Sequence, residues 1–527
     1  MPELQMDRRR AMALGLGGGA AVALPGWALA QESDAWLDPL VQSFMARFDV
    51  PGAAVAIVRK GAAPIIRGYG VRTLGKAPRV DEHTRFGIAS NSKAFTAAAI
   101  AQLVDAGTLG WDEPVIRYLP EFRMADPAVT QMMTVRDLLV HRSGLPLGAG
   151  DLIYFPAAGR PLADSLKALP FLKADKGFRA GYAYDNILYN VAGLLIERVT
   201  GKRWRDVIAT QLLAPLGMAD AVPSRDMLTT DNVAGRHARQ GPPVRGIGAM
   251  RVTRADEDAG IDPAGGINAS VSDIARWLQV QLAGGALPDG RRLWSAAQAR
   301  EMWTPQIIVS SSDGPTPERP TRPVQSSYAL GWGVSDYRGM RLIAHSGGLS
   351  GQVTQTAMIP VRGIGVAVFT NVEDGTSSAM RNAILDRLID APATDWMAIY
   401  AAQKSAADSE ALSSVAGGVN TAPAGGPSLP LAAYAGRYRD PWYGDIVVTE
   451  HAGRLSIDFV PTPVFKSTLE PWGRDAFRTR FPKDAGEDAI VTFAVAGGQV
   501  AGVTMKALSP LADFSYDFHH LAFAPVR

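Results

Sequence analysis

The hydrophobic pattern of the chain changes once, near residue 430, and this change limits what the chain can fold into. Before it, buried-strand runs alternate with amphipathic helical runs, as in residues 53–58 and 94–109. After it, the runs are short, alternate between apolar and polar residues and are separated by turns, as in residues 445–449, 454–459 and 489–493. The sequence therefore predicts an α/β domain followed by a small all-β domain, either a barrel or a sandwich.

Four segments are expected along the 527 residues. Residues 1–30 are predicted to be an export signal, and residues 31–400 the α/β domain. Residues 401–430 are rich in Ala, Ser, Gly and Pro, which is typical of a linker. Residues 431–527 then form the all-β domain.

The first thirty residues have the layout of an export signal. Three arginines at positions 8–10 precede the mildly apolar residues 11–24, and Ala28-Leu29-Ala30 supplies small residues for a cleavage site. The adjacent arginines resemble a twin-arginine signal, which exports folded proteins. A membrane anchor is the alternative, but spanning takes about 20 strongly apolar residues, and four glycines interrupt this shorter stretch. The mature protein is therefore expected to be soluble, without a stable membrane anchor, and periplasmic or secreted.

Composition removes several classes of function. A formal charge of +2 argues against a nucleic-acid-binding protein, because such proteins carry strongly basic surfaces. The chain has no cysteine, which excludes disulfides, catalytic thiols and thiolate metal sites. The sequence contains no His-Glu-x-x-His and no convincing dinucleotide motif, and residues 70–76, which have the spacing Gly-x-x-x-x-Gly-Lys, lack the following Ser or Thr of a phosphate-binding loop because Ala77 stands there. We therefore expect no metal and no organic cofactor, and as partners a small-molecule or peptide substrate.

A first candidate for catalysis lies where a predicted strand, residues 86–88, gives way to a helix. Ser90 stands at this junction, and Lys93 follows one helical turn later on the same face. A lysine desolvated in a pocket has a lowered pKa and can take the proton that a nucleophilic serine must lose. The pattern is weak alone, because an N-capping serine followed by a surface lysine also explains it.

Two further segments carry polar groups that suit a hydrolase. Tyr184-Asp185-Asn186 precedes a helical run; a tyrosine near cations can act as a phenolate base, and an asparagine amide can bind a substrate amide. His345-Ser346-Gly347-Gly348 follows a predicted strand, and its glycines allow the backbone to approach a substrate closely. Each segment has an ordinary alternative, a turn for the first and a hairpin turn for the second.

The order and spacing of these three segments resemble the serine β-lactamase and penicillin-binding-protein superfamily. Within it, the chain is similar to the class C β-lactamase-like hydrolases, also described as S12 serine peptidases. Further similar segments occur at residues 111–121, 134–146 and 263–267, so that the resemblance covers roughly residues 36–390. It implies an antiparallel sheet flanked by helices, with an added helical lobe, for the α/β domain.

The resemblance also implies catalytic roles for single residues. Ser90 is implied to be the acylated nucleophile, while Lys93 and Tyr184 move the protons. Asn186 is implied to bind the substrate amide. The N–H groups of Ser90 and Gly348 are implied to form the oxyanion hole.

The third segment departs from the family pattern. His345, a predicted catalytic residue, takes the place of a lysine whose ammonium helps to hold the carboxylate of a β-lactam. Gly347 and Gly348 follow it as predicted substrate-binding residues. Because a histidine is nearly neutral at pH 7, efficient β-lactam hydrolysis is in doubt, and peptides or esters become better candidates.

We therefore expect an exported serine hydrolase that acts through an acyl-enzyme on Ser90. The favoured substrate is a small or non-standard peptide, such as one with D-residues or a linearised cyclic peptide. A carboxylesterase for short esters and a β-lactamase are alternatives with the same chemistry. Another alternative is a non-hydrolytic, penicillin-binding-like receptor that is acylated but not released, because release depends on how a water molecule is positioned.

The all-β domain resembles the lipocalin-like domain appended to some of these hydrolases, through residues 434–438, 443–444 and 513–518. Two roles are open for it. In one it assists assembly of a homo-oligomer or borders the catalytic cleft, and in the other it only stabilises the protein. Its aromatic residues are expected in its core: Trp442, Tyr443, Trp472, Phe514 and Tyr516.

Overall fold

The computed structural model describes residues 34–241, 245–255, 259–414, 425–482, 486–509 and 512–526. The predicted export signal lies outside these residues. Within them, the chain forms an α/β domain followed by a closed β-barrel, as the hydrophobic pattern predicts. No helix in this part of the chain combines the length and the apolar character needed to cross a membrane.

An eight-stranded antiparallel sheet forms the centre of the α/β domain. The strands of this domain are β1 Gly52–Arg59, β2 Ile65–Gly70, β3 Phe86–Gly87, β4 Arg236–Arg239, β5 Met250–Thr253, β6 Asn268–Ala269, β7 Ile307–Ser311, β8 Gln325–Tyr328, β9 Gly333–Tyr337, β10 Met340–Leu349, β11 Gln352–Ile359 and β12 Ile364–Thr370. The sheet has the order β2-β1-β12-β11-β10-β9-β8-β7, while β3 pairs with β6 and β4 with β5. The first seven residues of β1 are buried, because the sheet is covered on both faces, which confirms the buried strand predicted for residues 53–58.

Helices cover both faces of this sheet. They are α1 Leu37–Phe48, α2 Lys93–Asp105, α3 Pro127–Met132, α4 Asp164–Ala168, α5 Ile187–Thr200, α6 Trp204–Ile208, α7 Ala214–Leu216, α8 Asp262–Gly265, α9 Val271–Leu282, α10 Ala296–Met302, α11 Thr376–Leu388 and α12 Trp396–Ser414. Val55 and Ile57 of β1 share a core with α1 and α11, while the alternate residues Ala54 and Ala56 face the core that contains α2 and α9. Helices α3 to α8 build the helical lobe that the resemblance implies.

Helix α2 is buried on all sides, which differs from the amphipathic helix predicted for residues 94–109. All residues from Lys93 to Ala101 are buried. The helix contacts α5, α6, α8 and α10, and Phe95 stacks on Trp277 of α9 with ring centres 3.9 Å apart. A helix that is surrounded by other elements needs no polar face.

Helix α12 occupies part of the segment predicted to be a linker. Residues 401–414 are helical and belong to α12, which packs against α11. The alanines that suggested a linker are also the best helix formers, and packing decides between the two outcomes. Trp396 anchors the helix, since its Nε1 donates a 2.8 Å hydrogen bond to Asp386 of α11. Residues 415–424 of the predicted linker lie outside the described residues.

The C-terminal domain is a barrel and not a sandwich. Its strands are β13 Gly436–Asp440, β14 Gly444–His451, β15 Arg454–Phe459, β16 Lys466–Gly473, β17 Ala476–Arg478, β18 Ala489–Ala496, β19 Gln499–Ala507 and β20 Ala522–Pro525. Each strand pairs with the next, and β20 closes on β13. The strands predicted at residues 445–449, 454–459 and 489–493 are parts of β14, β15 and β18. Buried aromatic side chains fill the interior: Tyr434, Phe459, Phe465, Phe477 and Phe493.

The segment between β19 and β20 holds the barrel against the helical lobe. Asp517 of this segment accepts hydrogen bonds from the N–H groups of Gly150 and Leu152, at 2.8 and 3.0 Å. Arg160 of the lobe donates a 2.8 Å hydrogen bond to the carbonyl oxygen of Tyr443. These contacts bring the barrel to the edge of the α/β domain.

Candidate active site

Ser90 lies on a tight turn between the end of β3 and the start of α2. The turn, Ala89–Ser92, is a 3-10 helix, and Lys93 is the first residue of α2. Ala89 has a φ of +48°, a left-handed conformation that is costly for a residue other than glycine and is often found at functional sites. Ala89 and Ser92 are buried, whereas Ser90 remains partly accessible. The turn therefore presents the Ser90 hydroxyl at a surface.

The side chain of Lys93 is completely buried and lies beside Ser90. Its Nζ is 3.1 Å from Ser90 Oγ, 2.7 Å from Asn186 Oδ1 and 2.8 Å from the carbonyl oxygen of Ala264. Burial lowers the pKa of Lys93 to about 7, although two nearby carboxylates favour its charged form. A substantial fraction of this amine is therefore neutral at pH 7 and can accept a proton.

The partners of Lys93 assign the direction of its hydrogen bond with Ser90. The oxygens of Asn186 and Ala264 can only accept, so they take both N–H groups of the neutral amine. In this neutral form the lone pair of the amine faces Ser90 and can accept from its O–H, whereas the ammonium form donates to Ser90 Oγ. Ser90 Oγ in turn accepts a hydrogen bond from Tyr184 OH, 2.8 Å away. Ser90 is thus held ready to lose its proton to Lys93.

Tyr184 keeps its proton in this environment. Burial raises the pKa of its hydroxyl well above the usual value, and the hydrogen bond with Ser90 opposes this only in part. The ring of Tyr184 lies 4.2 Å from that of His141 and 6.0 Å from that of Phe514. The phenolate base considered from the sequence is therefore not the resting form, and Tyr184 acts as a hydrogen-bond donor while Lys93 is the acceptor.

His141 and Asp185 hold in place the backbone of residues 184–186, which carries Tyr184 and Asn186. The Nδ1 of His141 accepts a 3.2 Å hydrogen bond from the N–H of Asp185, and burial lowers the pKa of this histidine well below its usual value. The buried carboxylate of Asp185 accepts a 3.2 Å hydrogen bond from Ser143 Oγ. His141 therefore has a structural hydrogen-bonding role.

Asn186 connects Lys93 to a buried carboxylate. Its Oδ1 accepts from Lys93, and its Nδ2 donates a 2.9 Å hydrogen bond to Asp151 Oδ2. Asp151 Oδ2 also accepts a 2.9 Å hydrogen bond from Ser515 Oγ, so this oxygen acts as an acceptor. An amide placed between a donor and an acceptor has only one favourable orientation.

Residues 345–348 lie within β10 and not in a hairpin turn, since β10 pairs with β11 through all four positions. A Cβ on Gly347 would lie 2.1 Å from the carbonyl oxygen of Ile88, so that only glycine lets β10 approach the Ser90 turn this closely. A Cβ on Gly348 would meet no atom within 4 Å, and Gly348 lines the cleft in front of Ser90. Of the two glycines, Gly347 permits the packing and Gly348 faces the space where a substrate can lie.

His345 lines the same cleft, and both of its ring nitrogens are engaged by the protein. Its Nε2 accepts a 2.9 Å hydrogen bond from Tyr328 OH, while its Nδ1 donates a 2.6 Å hydrogen bond to the carbonyl oxygen of Ser346. Burial, together with the charge of Lys93, lowers the pKa of His345 to about 4. The side chain is therefore neutral at pH 7. The structure therefore brings together four of the predicted residues through hydrogen bonds: Ser90, Lys93, Tyr184 and Asn186. His345 lies further along the wall of the cleft.

The Ser90 hydroxyl opens into a cleft of about 640 Å³. Residues 513–516 of the barrel line it together with the lobe residues Phe155 and Tyr182. Phe514 is 37% exposed in this lining, so the prediction that it belongs to the barrel core is wrong. The barrel therefore borders the cleft, which is one of the roles left open for it. The other four aromatic residues are buried as predicted: Trp442, Tyr443, Trp472 and Tyr516.

The cleft contains a cation that is already paired. Arg245 lines the cleft, and its guanidinium contacts both carboxylate oxygens of Glu373, with Nε 2.8 Å from Oε1. It also donates a 2.7 Å hydrogen bond to Ser350 Oγ. Among the described residues, no three His, Cys, Asp or Glu side chains are grouped as ligands for a metal ion.

Three residues at this site were not identified from the sequence: Asp151, Ser515 and Tyr328. Asp151 and Ser515 are separated by 364 residues, and Tyr328 reaches the site through its hydrogen bond with His345 and through ring contacts with His141 and Tyr182. No local pattern marks such residues, because their roles depend on contacts between distant parts of the chain. The resemblance of residues 513–518 to an appended domain of such hydrolases bears on one of the three, Ser515.

Two family models match the chain. The one described as "Beta-lactamase" matches residues 37–391, and one described as "Domain of unknown function (DUF3471)" matches residues 421–525. The curated relatives include "Unguisins hydrolase ungD" of Aspergillus violaceofuscus, which is 29% identical over 495 residues, with 88% of this chain and 83% of the relative covered. "Protein flp" of Staphylococcus aureus is 24% identical and covers 65% of this chain and 64% of its own length.

Several solved structures share the fold. The octameric penicillin-binding protein homologue from Pyrococcus abyssi superposes with a TM-score of 0.59 at 21% identity and covers 91% of this chain and 98% of its own. The D-amino acid amidase from Ochrobactrum anthropi SV3 has a TM-score of 0.54 at 22% identity, covering 68% of this chain and 99% of its own. The first of these similarities extends over most of the chain, whereas the second covers about two thirds of it.

Proposed function

The chain belongs to the beta-lactamase family of serine hydrolases, and on that premise we propose that it hydrolyses small or non-standard peptides through an acyl-enzyme on Ser90. One observation carries the proposal. Ser90 Oγ lies within hydrogen-bonding distance of both Lys93 Nζ and Tyr184 OH, while burial lowers the pKa of Lys93 to about 7. This arrangement suits a serine nucleophile with a lysine base.

Acylation begins when Lys93 takes the proton of Ser90. The Ser90 oxygen forms a bond to the carbonyl carbon of the substrate, and the negative charge on the carbonyl oxygen is stabilised by the N–H groups of Ser90 and Gly348. The bond to the leaving nitrogen then breaks. Tyr184 gives its proton to that nitrogen and receives the proton held by Lys93, so that both groups return to their starting forms.

Deacylation repeats these steps with water in place of the leaving amine. Lys93 takes a proton from water by way of the Tyr184 hydroxyl, and the water oxygen bonds to the acyl carbon. The bond between that carbon and Ser90 Oγ breaks, and the proton returns to Ser90. No group beyond the substrate, water and these side chains is needed to balance the protons.

The lining of the cleft favours a peptide over a β-lactam. The neutral His345 offers no charge to a substrate carboxylate, and the guanidinium of Arg245 is engaged by Glu373. Phe155 and Phe514 provide apolar surface for a side chain of the substrate. A relative that covers 88% of this chain carries the name of a hydrolase, which agrees with turnover rather than with a receptor.

A carboxylesterase uses the same acyl-enzyme, and the leaving group distinguishes the two functions. An amine must be protonated as it leaves, whereas an activated alcohol need not be. The proton on Tyr184 therefore supports the amide substrate.

The experiment compares turnover of matched amides and esters that carry the same D- or L-residue. Steady release of amine from at least one amide is the expected result. Turnover of esters alone would contradict the peptidase proposal and favour a carboxylesterase. A single burst of product equal to the amount of protein would favour the acylated receptor.

We also propose that the protein is exported, on the basis of the arginines at positions 8–10 and the Ala28-Leu29-Ala30 site. Expression of the full chain in a bacterial host, followed by fractionation, tests this. A shortened protein in the periplasm is expected, and the R9K/R10K variant should remain in the cytoplasm at full length. A full-length wild-type protein in the cytoplasm would contradict export.

A further inference from the structure

We propose that the barrel supplies positioning residues to the active site, with Asp517 and Ser515 holding Asp151 so that Asp151 fixes the amide of Asn186 against Lys93. This inference rests on the proposed function, because it concerns the efficiency of Ser90 acylation. It assigns to the C-terminal domain a part in catalysis beyond bordering the cleft. Three hydrogen bonds and one close approach between the barrel and the lobe support this inference.

The first link is the hydrogen bond between Asn186 and Asp151. Asp151 is 1% exposed, and its Oδ2 accepts from Asn186 Nδ2 at 2.9 Å. This bond turns the oxygen of the amide toward Lys93, where it accepts a 2.7 Å hydrogen bond. If the amide were reversed, its NH₂ group would face the Lys93 amine, and Lys93 would lose an acceptor that keeps its lone pair directed at Ser90.

The second link joins Asp151 to the barrel. Ser515 Oγ donates a 2.9 Å hydrogen bond to the same Oδ2 that binds Asn186. Asp517 accepts from the N–H groups of Gly150 and Leu152, the residues on either side of Asp151. The barrel thus holds both the side chain of Asp151 and the backbone around it.

Glycines in the loop of residues 148–152 allow the barrel to come close. Gly148 and Gly150 have φ values of +72° and +85°, which other residues rarely adopt. A Cβ on Gly148 would lie 2.7 Å from the carbonyl oxygen of Phe514, so the barrel segment and the loop touch directly. The N–H of Gly148 also donates a 2.9 Å hydrogen bond to the carbonyl oxygen of Tyr184. The loop therefore lies between the barrel and the segment that carries Tyr184 and Asn186.

Asp517 is itself held in place within the barrel. It is fully buried, and its Oδ2 also contacts His520 Nδ1 at 3.0 Å. A carboxylate that accepts from two backbone N–H groups and a ring N–H is fixed in position, and removal of one partner leaves the others buried and unpaired. Asp517 therefore acts at a distance from Ser90 through Asp151 and Asn186, as a positioning residue.

The test measures the rate of Ser90 acylation in D517A and in a control, D440A. Asp440 is also buried in the barrel and accepts from the backbone N–H groups of Trp442, Tyr443 and Ala522, but these partners all belong to the barrel. Thermal unfolding is recorded for both, and acylation is measured well below either midpoint. We expect D517A to acylate about tenfold more slowly or worse, and D440A to stay within about twofold of the wild type. Equal rates in D517A and D440A would overturn the proposal.

A second pair of variants keeps the test valid if D517A does not fold. D151L removes the acceptor for Asn186, whereas D151N retains an oxygen that can occupy the same place. We expect D151L to lose about tenfold or more in acylation rate and D151N to recover most of it. The double variant D151L/N186A should be no slower than N186A alone, since both act through one amide. Additive losses, or equal rates in D151L and D151N, would overturn the proposal.

The pH profile separates positioning from a general loss of structure. Asp151 and Asp185 favour the charged form of Lys93, while the neighbouring His141, His345 and Tyr184 are neutral at pH 7. Burial and the neighbouring Asp517 raise the pKa of Asp151 well above its usual value, which favours its neutral form, so D151N should move the acid limb of the acylation profile little. S515A should lower the rate without moving the limb. A limb that moves in S515A would count against a positioning role.

The outcome for the wild-type protein distinguishes this inference from the proposed function. If the wild type forms no adduct at Ser90 with any amide, ester or β-lactam, the proposed function fails. If the wild type is acylated and D517A is acylated equally fast, only the positioning role fails.

Discussion

The amine of Lys93 lies 3.1 Å from the hydroxyl oxygen of Ser90 and has no exposed surface. Water therefore cannot stabilise the ammonium form, and the fixed oxygens of Asn186 and Ala264 take the two N–H groups of the neutral form. This geometry supports the proposed roles of Ser90 as nucleophile and Lys93 as its base.

The rate of acylation should rise with pH through about 7. Only the neutral amine can take the Ser90 proton, and burial lowers the pKa of Lys93 to about 7, so the ammonium form that prevails at lower pH is inactive. Below this pKa the rate should fall about tenfold for each pH unit. The measurement is kcat/KM from pH 5 to 9 on a substrate without titrating groups. A flat profile between pH 6 and 8 would contradict the assignment of Lys93 as the base.

A change of Tyr184 to Phe should slow amides more than activated esters. The variant removes the proton that Tyr184 donates, and a leaving amine needs that proton, whereas a leaving nitrophenolate does not. We expect a loss of about a hundredfold or more on an amide and a much smaller loss on a nitrophenyl ester. Y182F is the control, since Tyr182 lines the same cleft. Equal losses on both substrates would argue against a role in protonating the leaving group.

A change of His345 to Lys should improve the reaction with β-lactams. His345 is neutral, with its pKa lowered to about 4, so a lysine would add a positive charge to the cleft wall. We expect acylation by a carboxylate-bearing β-lactam to become about tenfold faster, because hydrogen bonds to charged groups are the stronger ones. H345Q, which adds no charge, serves as the control. If H345K and H345Q behave alike, position 345 does not contact the carboxylate.

A change of Phe514 to Ala should reduce activity on substrates with large apolar side chains. Phe514 is 37% exposed in the cleft and packs edge-on against Tyr184. Loss of this contact should lower kcat/KM about tenfold for an aromatic substrate and little for an alanine analogue. V460A is a control, because Val460 is a half-exposed barrel residue outside the lining of the cleft. An equal loss on both substrates would mean that Phe514 supports the fold and not the choice of substrate.

Much of the fold could be predicted because it follows from local pattern. The buried run at residues 53–58 belongs to β1, an inner strand of the sheet, and the alternating runs after residue 431 are barrel strands. Helix α2 was expected to be amphipathic, but helices of the lobe and helices that cover the sheet surround it. Its burial depends on these distant parts of the chain, and the local pattern does not show it. Residues 401–414 were expected to be a linker, but an alanine-rich segment becomes a helix when an adjacent helix such as α11 offers a packing surface.

The candidate site could likewise be predicted only in part. The spacing of Ser90 and Lys93 follows from helical geometry, so that a contact such as the observed 3.1 Å could be anticipated from the sequence. Their meeting with Tyr184 and Asn186 could be anticipated only by resemblance, because it joins segments about 90 residues apart. Asp151 and Asp517 act through contacts between the two domains, and no short motif marks such contacts.

The most direct test of the central claim is the intact mass of the protein during turnover of a peptide, an ester and a β-lactam. We predict a mass increase equal to the acyl part of at least one substrate, mapped by peptide digestion to Ser90. S90A should fold with the same thermal midpoint and gain no mass. An S90A variant that turns over substrate as the wild type does, or an adduct that maps to another residue, would contradict the account.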